Sequence, residues 1–338
     1  MQVRGKKALF ATDLIRLGRR LAEQVRRPTS AFIVNQLAGN RVLTLTFMIN
    51  FFKFALGAAL FALGGCTQLD GGRGDQGVAK PKDLGYEVVE FLPAPGQFVN
   101  EGYEATTMAE ACGYAHKRLE ERYYVSLGGF GGYIVVKFST PVRNSGGYDF
   151  GILGNSFATS SEPGIVWVSQ DLNGNGVADD EWFELYGSVS EEATTLHNYS
   201  ITYSRTDEDA KIAWRDSEGA SGTIEHNSAH LHNYFPAWVT TNEYTLAGTL
   251  LPDNAVWSEI NQEWQLMPFE WGYADNYSAI DRHSNRANMF RISDARTVDG
   301  EEANLSHIDF VKVQSAINAA HSSIGETSTE VVGFLRDI

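Results

Sequence analysis

The chain has 338 residues, with 27 Lys+Arg against 42 Asp+Glu, a formal charge of −15 and two cysteines. That acid excess excludes a protein whose partner is nucleic acid, because such affinity rests on Lys and Arg neutralising phosphates. Two cysteines exclude a disulfide framework, so the fold must be held by its own core, with bound metal as an added brace.

Residues 1–47 carry a basic, helix-like pattern through Arg16, Arg19, Arg20, Arg26 and Arg27. They read as a mis-called N-terminal extension, a cytoplasmic tail being the alternative. Residues 48–65 have the anatomy of a lipoprotein signal peptide: Lys53 as positive flank, the apolar run Phe54–Leu63, then Leu63-Gly-Gly-Cys66. The apolar run is too short for a comfortable membrane span. Small residues let a signal peptidase approach the backbone, and the Cys66 thiol then takes a diacylglyceryl group. A transmembrane helix over Val42–Gly64 is the competing reading, but Lys53 sits near its middle and a Gly-rich linker follows at once. The expectation is an outer-membrane lipoprotein, anchored through Cys66 and exposed at the surface. Cleavage ahead of Cys66 leaves 273 residues with 17 Lys+Arg and 40 Asp+Glu, a charge near −23.

Residues 66–84 are mostly Gly, Asp, Gln, Lys and Pro, and form a flexible tether. From residue 85 to 338 the chain reads as one domain. Tyr86–Phe91 is a first strand, ended by Pro93 and Pro95. Ala105–Arg122 is a helix: Thr106 or Thr107 caps it, and Met108, Ala111, Cys112, Ala115 and Leu119 share a face. Cys112 is thereby a small buried hydrophobe. Gly128-Gly-Phe-Gly-Gly132 lacks the Lys-Ser/Thr of a phosphate loop and reads as a tight entry to a strand.

After the helix the texture is β. Strands are expected at Tyr133–Phe138, Tyr148–Leu153, Gly164–Ser169, Trp182–Gly187 and Tyr199–Ser204. They continue at Ile212–Trp214, Tyr244–Leu250, Ile308–Gln314 and Glu330–Leu335. Short strands with turn signals at this spacing predict a mainly β fold, a β-sandwich or jelly roll with one helix near its N-terminal end.

Several segments carry a family resemblance. They include Val88–Phe98, Ser126–Gly132, Gly154-Asn-Ser-Phe157, Ser161-Glu-Pro-Gly164, Trp271–Asn276, Ile308–Val313 and Gly325–Glu330. Over nearly all of Tyr86–Ile338 the chain resembles surface lipoproteins of gut-type Bacteroidota, described as cell surface proteins. The order of these segments also looks like a galactose-binding-type jelly roll. The resemblance implies surface binding beside TonB-dependent transporters, for glycans or for cobalamin.

Asp171-Leu-Asn-Gly-Asn-Gly-Val-Ala-Asp-Asp-Glu181 is the strongest chemical motif. Asp171, Asn173 and Asn175 at positions 1, 3 and 5, Gly176 for the sharp turn, the Val177 carbonyl and Asp179 match a Ca2+ loop. Position 12 is Trp182, so Asp180, Glu181 or a distant carboxylate must complete the shell. Further on, Trp257–Tyr277 concentrates rings beside amides and carboxylates. Trp264, Trp271, Tyr273, Asp275 and Asn276 are the candidate ligand contacts there, with Trp264 foremost because its neighbours are polar. His226, His230 and His232 have no zinc spacing, and no nucleophile elbow occurs. The expectation is a calcium-stabilised, non-catalytic protein binding a glycan. Cobalamin capture, a glycoside-active enzyme and a structural subunit of an outer-membrane assembly are the alternatives.

Overall fold

A computed structural model describes residues 84–206, 211–226, 229–283, 286–322 and 324–336. Cys66, the signal segment and the tether up to residue 83 lie outside them. No helix among the described residues is long and apolar enough to cross a membrane.

The chain runs β1 (Tyr86–Leu92), α1 (Met108–Glu120), β2 (Val125–Ser126), β3 (Tyr133–Arg143), β4 (Phe150–Leu153) and β5 (Gly164–Ser169). It continues through β6 (Trp182–Leu185), β7 (Leu196–Arg205), β8 (Lys211–Asp216), β9 (Ser221–Glu225), β10 (Glu243–Leu250), β11 (Ala255–Ser258) and β12 (Glu263–Leu266). The last elements are β13 (Ala287–Phe290), β14 (Ala295–Arg296), β15 (His307–Ser315), β16 (Ala320–His321), β17 (Gly325–Glu326), β18 (Glu330–Val331) and β19 (Gly333–Arg336).

Two antiparallel sheets enclose the main core. One has six strands in the order β1-β3-β15-β5-β6-β14, the other three in the order β13-β4-β19. Alternation along each strand sorts side chains to the two faces. Ile134, Val136, Val166, Val168, Val311 and Val313 point inward from the six-stranded sheet, and Phe150, Ile152, Phe290 and Phe334 meet them. Each such side chain, fully buried, stabilises by about 1.5–3 kcal/mol. This is the mainly β, sandwich-like fold that the alternation predicts.

Helix α1 closes one side of that core with Ala111, Ala115 and Leu119. Thr107 caps it by accepting the Glu110 N–H at 3.2 Å, while the Glu110 carboxylate accepts the Thr106 N–H at 2.8 Å. Two N–H groups at the helix start are thus satisfied reciprocally. Cys112 is buried, and burial pushes its thiol up to about 11, which disfavours the thiolate form. Met108 departs from the expected inward face: it is 37% exposed, and only its sulfur turns back to accept the Phe91 N–H.

A third sheet, β10-β7-β8-β9, packs Tyr199, Ile201, Tyr203 and Leu246 around Phe130, Tyr234 and Phe235. The glycine run before β3 makes this close packing feasible. A Cβ on Gly132 would strike the Leu127 carbonyl and the Ala94 nitrogen, and Gly128 and Gly131 have φ of 68° and 83°. The two ends of the domain also meet. Tyr86 of β1 touches Phe334 of β19 edge-to-face, with ring centroids 5.2 Å apart.

Candidate ligand-binding site

The Asp171 loop joins β5 to β6, and its side chains fold inward on the backbone. Asp171 Oδ2 accepts the Gly176 N–H at 2.9 Å, Asn173 Oδ1 the Asn175 N–H at 2.9 Å, and Asn175 Oδ1 the Val177 N–H at 2.7 Å. The Asn173 and Asn175 amides donate to Asp179. Asp180 turns aside to accept the Leu172 N–H, and Glu181 is exposed. The distant carboxylate brought to the loop is Asp309 of β15, which accepts the Asp171 N–H at 2.9 Å. Lys137 Nζ stands 3.7 Å from Asp171 Oδ2, and Asp171 Oδ1 is a buried oxygen without a partner. Asp171, Asn173, Asn175, the Val177 carbonyl, Asp179 and Asp309 are the groups able to hold a hard cation here.

The aromatic segment divides differently from its sequence reading. Tyr273 and Asn276 are fully buried, and their polar atoms serve the protein itself. Tyr273 Oη accepts the Val189 N–H at 3.1 Å, while the Asn276 amide bridges both the N–H and the carbonyl of Phe269. Both are therefore struts of a loop, not ligand contacts: an interior position costs no water-facing surface only because each polar atom is paired. Trp271 is half-buried beside a small cavity of about 220 Å3 that also borders Tyr186 and Arg291. Trp264 sits on the β11–β12 hairpin, its ring centroid 5.6 Å from that of Trp257 and 4.5 Å from that of His321.

Asp275 is buried as well, in a carboxylate cluster that the sequence reading missed. Its Oδ1 accepts the Asn155 and Ser156 N–H groups at 2.9 and 2.8 Å, and its Oδ2 accepts the Glu330 N–H at 3.0 Å. Glu162 accepts the Ser328 N–H, Glu330 accepts from the Asn155 amide, and oxygens of all three acids lie within 4.8 Å of one another. Gly154 is required here because a Cβ would collide with Asp275 Oδ1. Burial pushes Asp275 up to about 7 and Glu162 up to about 8, and raises Glu330 well above the usual carboxylate range, with repulsion from the neighbouring acids adding at Glu162 and Glu330. Protons on these acids, or a cation among them, would relieve the cost of burying their charge. The segments Gly154–Phe157, Ser161–Gly164, Trp271–Asn276 and Gly325–Glu330 converge on it.

The outer face of the six-stranded sheet carries the features of a binding surface. Strand register lines up Glu90, Val135, Lys312, Trp167, Glu184 and Arg296 in one row across all six strands. Lys312 Nζ lies 4.8 Å from the ring centroids of both Trp167 and Trp182, and 6.0 Å from that of Tyr133. No hydrogen bond or ion pair from the described residues engages it. Burial pulls its pKa down to about 8, against the opposing pull of Glu90 and Glu184, so the amine is still mostly cationic at neutral pH. Next along the row, Glu184 is 4% exposed. Its Oε2 accepts from Thr249 Oγ1 at 2.6 Å, whereas its Oε1 has no partner, and neither does Trp167 Nε1. His197 Nδ1 is 3.2 Å from Thr249 Oγ1 and its Nε2 3.0 Å from the Ser190 carbonyl. The Glu184 carboxylate holds the imidazole pKa above its usual value.

Above this row lie two adjoining hollows, of about 280 and 310 Å3, which share Trp182, Ala247 and Lys312. A cationic amine, a carboxylate-bearing side chain and ring-bearing side chains thus line adjoining hollows, as a site for a polar ligand requires. No family model and no curated protein matches the chain. A larger cleft of about 580 Å3 runs beside Tyr203, Trp214, His321 and Glu326. Several of its polar groups are already engaged: Tyr203 donates to the Phe130 carbonyl, Glu326 accepts the Gln97 N–H and His321 pairs with Asp253. The row across the sheet is the better candidate. Its sequence signal was the polar or aromatic residue at alternate positions of strands otherwise apolar, as in Val166-Trp-Val168 and Val311-Lys-Val313.

Proposed function

We propose that the protein is a non-catalytic, calcium-stabilised surface lipoprotein that captures a glycan in the hollows across the six-stranded sheet. One observation carries this reading: Lys312, Trp167 and Glu184 stand side by side in register with unpaired polar atoms among indole rings. Sugars present apolar ring faces for stacking and hydroxyls that donate and accept, so they complement such a surface. The exchange of neighbours in β3-β15-β5 supports a galactose-binding-type jelly roll. Lipid on Cys66 and attachment to the outer membrane, beside a TonB-dependent transporter, complete the proposal. Calorimetric titration of the detergent-solubilised full chain with neutral oligosaccharides and with cobalamin tests it. Heat from a neutral oligosaccharide is the expected result, and heat from cobalamin alone overturns it.

Calcium at the Asp171 loop is expected to raise the melting temperature, since an ion that binds only the folded loop stabilises by about 2.7 kcal/mol at a hundredfold excess over Kd. Chelation should reverse the gain, and Asp171→Ala combined with Asp179→Ala should abolish it. Identical melting curves with calcium and with chelator would exclude the site.

A further inference from the structure

We infer that the site holds at least two consecutive units of an uncharged glycan, with Lys312 at the boundary between the two subsites. The inference rests on the glycan reading of this face and adds its chain length and charge class. The two hollows are comparable in size, at about 280 and 310 Å3, and each has its own walls. Glu90, Tyr133 and Gln314 line the first, and Trp167, Glu184 and His197 the second. Only Trp182, Ala247 and Lys312 belong to both. A single sugar ring in either hollow leaves the other to water, whereas a linked pair fills both and passes over the Lys312 amine.

Charge selects against acidic sugars. The row reads Glu90, Lys312, Glu184, Arg296 in its ionisable members, alternating in sign and summing to zero. The chain as a whole is at −15. An anionic ligand gains nothing from long-range attraction, and a carboxylate reaching Lys312 must lie close to Glu90 or Glu184. Neighbouring hydroxyls of a neutral sugar suit both groups at once, one accepting from Lys312 Nζ and the next lying beside Glu184, which lines the second hollow.

Calorimetry of the detergent-solubilised full chain tests this with glucose, galactose and mannose against cellobiose, galactobiose and mannobiose, and with digalacturonate as the acidic member. One neutral disaccharide should bind at least thirtyfold more tightly than its monosaccharide, and digalacturonate should not compete with it. Trp167→Ala, which alters one hollow only, should bring the disaccharide down toward monosaccharide affinity. Glu184→Gln keeps the side-chain shape and should weaken binding at least tenfold even if the tryptophan variant fails to fold. Equal affinity for monosaccharide and disaccharide overturns the two-unit inference and leaves glycan capture standing. Preference for digalacturonate overturns the charge class. No binding by any sugar overturns the glycan reading itself.

Discussion

Replacing Trp182 by alanine is expected to weaken glycan binding at both hollows. Its ring borders both hollows and supports the Lys312 ammonium from one side. Base stacking on aromatic side chains is worth roughly 1–3 kcal/mol per ring, and sugar stacking on an indole belongs to the same scale. That corresponds to about a 5- to 150-fold rise in Kd. Because Trp182 points away from the main core, the variant should keep its fold, and Trp182→Phe should recover most of the affinity. Trp264→Ala provides the contrast. Trp264 packs on Trp257 and His321 and does not line either hollow. If binding is lost in Trp264→Ala and kept in Trp182→Ala, the site lies on the β11–β12 hairpin instead.

The second large effect concerns pH. Glu162, Asp275 and Glu330 titrate in the folded protein above the range of an unfolded carboxylate. The folded state therefore holds protons that the unfolded chain releases above about pH 4. Stability is then greatest at mildly acidic pH and falls as pH rises toward 8, by about 1.4 kcal/mol per pH unit for each proton retained. Glu326, raised by burial to about 7, and His197, raised by Glu184, act in the same direction. Urea unfolding of the metal-free protein between pH 5.5 and 8 measures the slope. Glu330→Gln removes one acid while leaving an acceptor for the Asn155 amide, so it should flatten the curve and stabilise the protein at pH 8. A wild-type curve that is level or rises over this interval is incompatible with protons retained by the cluster.

Most of the strand pattern was legible because alternation is a local property. Val311-Lys-Val313 and Val166-Trp-Val168 declare their two faces without reference to any other segment. The helix was legible for the same reason, through Thr107 at its start and Ala111, Ala115 and Leu119 along one side. The β11–β12 hairpin was not, since Ala255–Ser258 and Glu263–Leu266 are short and carry no clean alternation. The row across the sheet could be read only strand by strand, never as a row. Glu90 and Arg296 stand at its ends, and five strand pairings from distant parts of the chain bring the row together. Register of that kind is long-range information. Conversely, the ring-rich stretch from Trp257 to Tyr277 was conspicuous in sequence, yet density of aromatic residues does not distinguish a core from a surface. Tyr273 shows this, its hydroxyl occupied by a backbone amide deep inside.

The meeting of Tyr86 with Phe334 has an architectural consequence. Gly85 also approaches Arg336, so the first and last described strands begin and end at one spot. Topologically the domain behaves as a nearly closed ring, and chains whose ends lie together tolerate circular permutation and insertion into a host protein. A short Gly/Ser bridge between the ends, with new ends opened at the exposed Ser217–Gly219 turn, leaves the order of the six-stranded sheet intact. The same proximity makes the domain a modular cassette. Carried within a surface loop of another protein, it would occupy little more of the host backbone than a tight turn.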